Sequence, residues 1–226
     1  MNRIILTFYL SCRKFQYLIK TFIMNQLLSI TLALFLSFVS VANNEISEIL
    51  EDGKLSEMSG DYASAISHYK KAIQIDENNY DAHLFLGNVY HIQNDYVNSL
   101  LQYNASIFID SKKAAAYFYR GNLQIDLGST FGAVNDYSTA IENDPNVMQY
   151  YMCRGFAYSN MGNFYNAVDD YSIAIQLDPQ SATSYYSMGK VQGMVSDIML
   201  ACNKIIEIKD TGSVRAETVY MNFCLI

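Results

Sequence analysis

With 226 residues, 51% of them hydrophobic, the chain is long enough for one ordinary domain or two small ones, and its two prolines suit long helices joined by short turns. Residues 1–44 hold four basic side chains (Arg3, Arg13, Lys14 and Lys20) and no acid. The other 11 of the 15 basic residues stand against all 22 acids, a net of −11 that argues against nucleic acid as a partner, because phosphate binding needs clustered cations.

The first element is apolar. Residues 21–42, TFIMNQLLSITLALFLSFVSVA, follow Arg13, Lys14 and Lys20 and end in the small-x-small pattern Ser40-Val41-Ala42. A basic stretch, an apolar run and small residues make a secretory signal peptide, with cleavage expected after Ala42. As a helix the same run would reach about 33 Å, enough for a retained membrane anchor. An internal start at Met24 would leave a signal peptide of ordinary length. The expected location is therefore exported (periplasmic, secreted or in the lumen of a secretory pathway), either free or anchored through residues 21–42.

From residue 46 a period takes over. Glycines recur every 34 residues at Gly53, Gly87, Gly121, Gly155 and Gly189. Small residues follow in register at Ala65, Ser99, Ala133, Ala167 and Ala201, and again at Ala72, Ser106, Ala140 and Ala174. Tyrosines form a further column at Tyr69, Tyr103, Tyr137 and Tyr171, and Asp76, Asp110, Asp144 and Asp178 close four repeats. Pro145 and Pro179 follow two of those aspartates, where a missing backbone donor stops a helix. Residues Ala167, Val168, Tyr171, Ala174, Ile175 and Leu177 have the three-and-four spacing of an amphipathic helix. Close helix crossings need small side chains, so each glycine is expected to face an alanine, with aromatic rings filling the flanks. A single helical hairpin cannot bury its apolar face, but stacked copies can. Arg120 and Arg154 each precede a glycine, and each has an aspartate sixteen residues on, Asp136 and Asp170. An ion pair across each hairpin is the simplest reading; independent surface charges on duplicated repeats are the other.

The segments Tyr117–Pro145 and Tyr151–Pro179 carry these columns together, and on them the chain resembles the tetratricopeptide repeat family over about 46–208. The resemblance implies an all-α fold: a right-handed α-α solenoid of about five helical hairpins, preceded by the amino-terminal apolar helix. The hairpins are expected at 46–79, 80–113, 114–147, 148–181 and 182–210, with a capping segment at 211–226 after the signal or anchor at 1–42. The end repeats depart from the pattern, with Asp52 before the first glycine and Ile208 in place of the last alanine. Such departures suit a stack that must meet solvent.

The family also implies a site. Its first helices line a concave surface, so residues three before and one after each glycine are expected to face a peptide-binding groove. These are Leu50 and Lys54, Leu84 and Asn88, Phe118 and Asn122, Met152 and Phe156, Tyr186 and Lys190. Asn88 and Asn122 offer amides to the backbone of an extended ligand, and Phe118, Met152 and Phe156 offer apolar surface. Burial of the aromatic residues between repeats is the competing reading. The family's clamp for acidic chaperone tails needs cations where Leu84, Met152 and Phe156 stand, which argues against that subtype.

Catalytic motifs are absent. No His-Glu-x-x-His, Walker lysine or Gly-x-Ser-x-Gly occurs, and His83 and His91, eight apart on one helix, would lie about 12 Å apart along the axis, too far to share a metal. Cys12, Cys153, Cys202 and Cys224 form no C-x-x-C pair. The expectation is a protein–protein adaptor or scaffold with no cofactor, no metal and no enzymatic activity. Its partners would be proteins, held through an extended peptide or helix, with membrane contact only through the amino-terminal segment. The second reading is a structural subunit that associates with itself or with a membrane complex through its edge or end repeats.

Overall fold

The computed structural model describes residues 43–209 and, before them, only Met24, Gln26, Thr31, Leu32 and Val41. The signal or anchor expected at 21–42 and the capping segment at 211–226 therefore lie, those isolated positions aside, outside the described residues. Among the described residues every regular element is helical, and no helix is long and apolar enough to cross a membrane. The chain divides into two compact units, residues 1–77 and 78–226.

The first unit holds α1 (helical residues 43–58) and α2 (Tyr62–Ile75). The turn between them needs Gly60 at φ +80°, a left-handed conformation that costs glycine little. Asp61 then starts α2 by accepting a hydrogen bond from the Ser64 amide at 3.1 Å. Ile46, Ile49, Ala65, Tyr69 and Ala72 are its buried residues. The Tyr69 hydroxyl donates to Glu57 Oε2 at 3.0 Å, joining the two helices at the end of the ring.

The second unit stacks α3 (Tyr80–Ile92) on α4 (Tyr96–Ile109), α5 (Ala114–Asp126) on α6 (Thr130–Asn143) and α7 (Met148–Asn160) on α8 (Phe164–Leu177), and ends in α9 (Ala182–Lys209). Each hairpin also packs on the next through α4 with α5, α6 with α7 and α8 with α9. The first helices touch in turn as well, α3 with α5, α5 with α7 and α7 with α9. That is the stacking the apolar spacing demands: a helix with one face on its hairpin partner buries the other on the next repeat. Aspartates end three of these hairpins for a local reason. The carboxylates of Asp110, Asp144 and Asp178 accept from the amides of Lys112, Asn146 and Gln180 at 3.0, 3.3 and 3.0 Å, which fixes the turn that follows the helix.

Two expectations change. The recurring glycines do not face alanines. A Cβ at Gly87, Gly121 or Gly155 would stand 2.7, 2.6 or 3.0 Å from Cε1 of Tyr103, Tyr137 or Tyr171, and one at Gly53 would run into the Tyr69 ring. The glycine column is thus a slot for the tyrosine sixteen residues later, and Tyr69, Tyr103 and Tyr137 lie almost wholly buried in theirs. Burying one aromatic side chain contributes about 2 kcal/mol, so the slots are a main source of hairpin stability. The second change concerns the last repeat. Residues 182–209 form one continuous 28-residue helix where a hairpin was expected. In the earlier turns the residue that reverses the chain has positive φ: Gly60, Asn94, Gly128 and Gly162. The next residue at that 34-residue spacing is Ser196, whose Cβ disfavours the left-handed conformation, and the helix runs through it.

The anticipated ion pairs form, and they reach further than one hairpin. Arg120 donates through Nε and Nη2 to both oxygens of Asp136, at 2.8 and 2.6 Å, and through Nη1 to Asn104 Oδ1 at 2.7 Å. Arg154 does the same with Asp170, at 2.9 and 2.7 Å, and with Ser138 Oγ at 3.1 Å. Each guanidinium therefore pins its own hairpin and the second helix of the repeat before it.

Candidate functional site

The first helices of the second unit carry eight of the ten residues assigned to a groove, but they do not share one surface. Leu84 is buried with Tyr80, Tyr103, Ala116 and Leu123, which takes it out of any accessible groove. Phe118 is half-buried in the core, with its ring centroid 5.0 Å from that of Tyr150 and 6.0 Å from that of Tyr137. Its ring therefore packs in part between repeats. Asn88 is half-buried and accepts a hydrogen bond from the Tyr103 hydroxyl at 2.8 Å. Tyr186 and Lys190 are exposed on α9. Leu50, half-buried, and Lys54, exposed, belong to α1 of the first unit.

Asn122, Met152 and Phe156 come together. They line a half-open cavity of about 440 Å³ with Ile125, Asp126, Tyr137, Cys153, Tyr171, Thr183 and Ser187. Helices α5, α7 and α9 supply its walls, and the tyrosines of α6 and α8 reach between them to form its floor. Seven of these ten residues were not assigned to the groove from the sequence. Cys153 and Ser187 stand two before their glycines, where the residue three before had been chosen, and Ile125 and Asp126 stand four and five after Gly121. Stepping three or four residues in both directions from the position after the glycine draws this face, and that pattern is present in the sequence. The tyrosines had been read as core filler alone; their rings are core, and their hydroxyl ends reach the cavity.

The chemistry of the cavity is mostly neutral. Burial pushes the Cys153 thiol up to about 11, so it stays protonated and is a poor nucleophile at neutral pH. Burial, with the Cys153 and Asp170 charges adding to it, also raises Tyr171, and burial is the first cause of the rise at Tyr137. The one acid in the lining is Asp126, whose Oδ2 lies 2.7 Å from His91 Nε2 of the preceding repeat. Asn122 accepts from the Tyr137 hydroxyl at 2.7 Å through Oδ1, which leaves its amide nitrogen as the end free to donate. The arrangement offers apolar surface, hydrogen-bond donors and one carboxylate, which suits holding a ligand.

Profiles of known families match two of the repeats, one described as TPR repeat over residues 59–93 and one as tetratricopeptide repeat over residues 149–181. No curated protein matches the chain. Among solved structures, MamA protein is similar at 22% identity over 80% of this chain and 96% of its own, with a TM-score of 0.61. YrrB, described as a TPR protein with an unusual peptide-binding site, is similar at 18% identity over 69% of this chain and 84% of its own, with a TM-score of 0.57. The first TPR of Spaghetti (RPAP3), bound to an HSP90 peptide, is similar at 19% identity over 54% of this chain and 96% of its own, with a TM-score of 0.52. At these identities the structures speak for the fold alone. Two matched repeats, a 34-residue period and stacked hairpins with a tyrosine against Gly53, Gly87, Gly121 and Gly155 lead to one conclusion: the chain is built from tetratricopeptide-type repeats, matched as such at residues 59–93 and 149–181.

Proposed function

We propose that the protein is an exported adaptor that grips an extended peptide or helix of a partner protein along α5, α7 and α9. The observation that carries this reading is the cavity where Asn122, Met152 and Phe156 meet across those helices. An extended ligand needs partners for its backbone groups, which the Asn122 amide nitrogen and the Thr183 and Ser187 hydroxyls supply. Met152 and Phe156, the latter 50% exposed, supply the apolar contact. Peptide recognition by YrrB and by the RPAP3 module supports the choice of ligand. Binding, not catalysis, is the role. Export, with or without anchoring, is part of the proposal and rests on residues 21–42.

The test is selection of binders from a displayed peptide library, followed by affinity measurement on the full chain and on Asn122→Ala/Phe156→Ala. The double variant should lose binding while keeping its helical circular dichroism; unchanged affinity would sink the reading.

A second reading, self-association through the outer edge, draws on one observation. Val97, Phe131 and Tyr165 recur every 34 residues on α4, α6 and α8, and are 73%, 68% and 69% exposed. Light scattering at rising concentration decides it, because a strict monomer leaves that column without a role in assembly.

A further inference from the structure

The three inner tyrosines of the second unit are not equivalent. Tyr103 and Tyr137 each donate to the asparagine that follows the glycine of their own repeat, Asn88 and Asn122, at 2.8 and 2.7 Å. In the next repeat that position is Phe156, and the hydroxyl of Tyr171, a residue 3% exposed, has no hydrogen-bond partner among the described residues. Tyr171 and Phe156 both line the cavity. With no internal acceptor, the Tyr171 hydroxyl at the cavity is left free to donate to a ligand.

We infer that this cavity is a specificity subsite for a large apolar side chain of the partner, flanked by a basic residue, with the Tyr171 hydroxyl donating to a carbonyl of the ligand. The inference rests on the groove reading above and refines it. Phe156, Met152 and Ile125 give the walls apolar contact with a ring, and a volume of about 440 Å³ admits an aromatic residue with its flanking backbone. Charge selects the neighbour. Among the described lining residues Asp126 is the only acid, and no lysine or arginine stands with it. Its side chain is 50% exposed, and His91 meets only one of its two oxygens. A lysine or arginine beside the apolar residue is therefore favoured and an acid is repelled. Acidic tails are poor ligands for this site.

The probe is N-acetyl-Lys-Phe-amide, titrated into the full chain while the methyl resonance of Met152 is followed by NMR. Saturable shifts are expected, weaker with N-acetyl-Glu-Phe-amide and absent with N-acetyl-Lys-Ala-amide. Tyr171→Phe, which removes one oxygen and no packing, should weaken binding about fivefold, the size of one net hydrogen bond. Phe156→Asn, which offers Tyr171 the partner its neighbours have, should weaken it at least about tenfold, because ring stacking is lost and the donor is satisfied. Equal binding by the wild type and both variants, or no response of Met152 to the probe, overturns the subsite. Peptides from the library that still bind, and still depend on Asn122 and Phe156, would then leave the groove reading standing; loss of both results removes both.

Discussion

Arg154 holds both carboxylate oxygens of Asp170, sixteen residues further on, and reaches back with its remaining nitrogen to Ser138 of the previous repeat. The Asp170 side chain is 4% exposed and that of Arg154 is 19% exposed, so the pair is largely withdrawn from water. Burial raises the Asp170 pKa, and the guanidinium works against that rise. Arg154→Met leaves a buried carboxylate without its cation and should cost roughly 3–5 kcal/mol in chemical denaturation. Arg154→Met with Asp170→Leu should recover most of that loss, since apolar packing often replaces a buried pair without penalty. If the single variant were as stable as the wild type, the clamp would be decoration.

The tyrosine slots make a graded series. At Gly121 an added Cβ meets Tyr137 Cε1 at 2.6 Å, and the ring is held at its far end by Asn122. Gly121→Ala should therefore destabilise by about 1–3 kcal/mol through overpacking. At Gly189 nothing lies within 4 Å of the added atom. Gly189→Ala should be neutral, or stabilise by up to about 1 kcal/mol through helix propensity. Equal effects at the two sites in thermal melts would refute the slot.

Ser99 stands where later repeats have Ala133 and Ala167, and its Oγ is buried with no hydrogen-bond partner. Its counterpart Ser106 instead donates to the Tyr80 carbonyl at 3.0 Å. Ser99→Ala should thus stabilise by about 1 kcal/mol, while Ser106→Ala should cost about as much. Opposite signs in urea unfolding are the signature to look for.

Alkali should unfold the chain through its buried tyrosines. Burial, helped by the charges of Asp81 and Asp110, pushes Tyr80 up to about 12, and burial first of all raises Tyr69 and Tyr137 further. Unfolded tyrosine ionises near about pH 10. Between about pH 10 and 12 the unfolded state therefore binds fewer protons than the folded state, and stability falls as pH rises. Tyr80 alone would forfeit on the order of 2 kcal/mol across that window. Exposed rings such as Tyr165 and Tyr186 should ionise first and gradually, and the absorbance of the buried phenolates should follow in a cooperative step with the loss of helical circular dichroism. Full ionisation with the helices intact would contradict the burial of these rings.

Much of the architecture is local chemistry repeated, and such chemistry is readable in one dimension. The 34-residue period, the aspartates that close four hairpins and the Arg–Asp pairs follow from spacings that return to one helix face or across one turn, so they can be found without coordinates. The groove is different. Residues two and three before a glycine differ by about 100° around the helix, and which of them meets the cavity depends on how the helix is rotated against its neighbours. On α7 both Met152 and Cys153 join Phe156 at the cavity, whereas on α5 Phe118, three before its glycine, is taken up by Tyr150 and Tyr137. The extra length of α9 belongs between the two cases. Ser196 was visible in the chain, but its consequence emerged only when the positive φ of Gly128 and Gly162 showed what that position must do to reverse the helix.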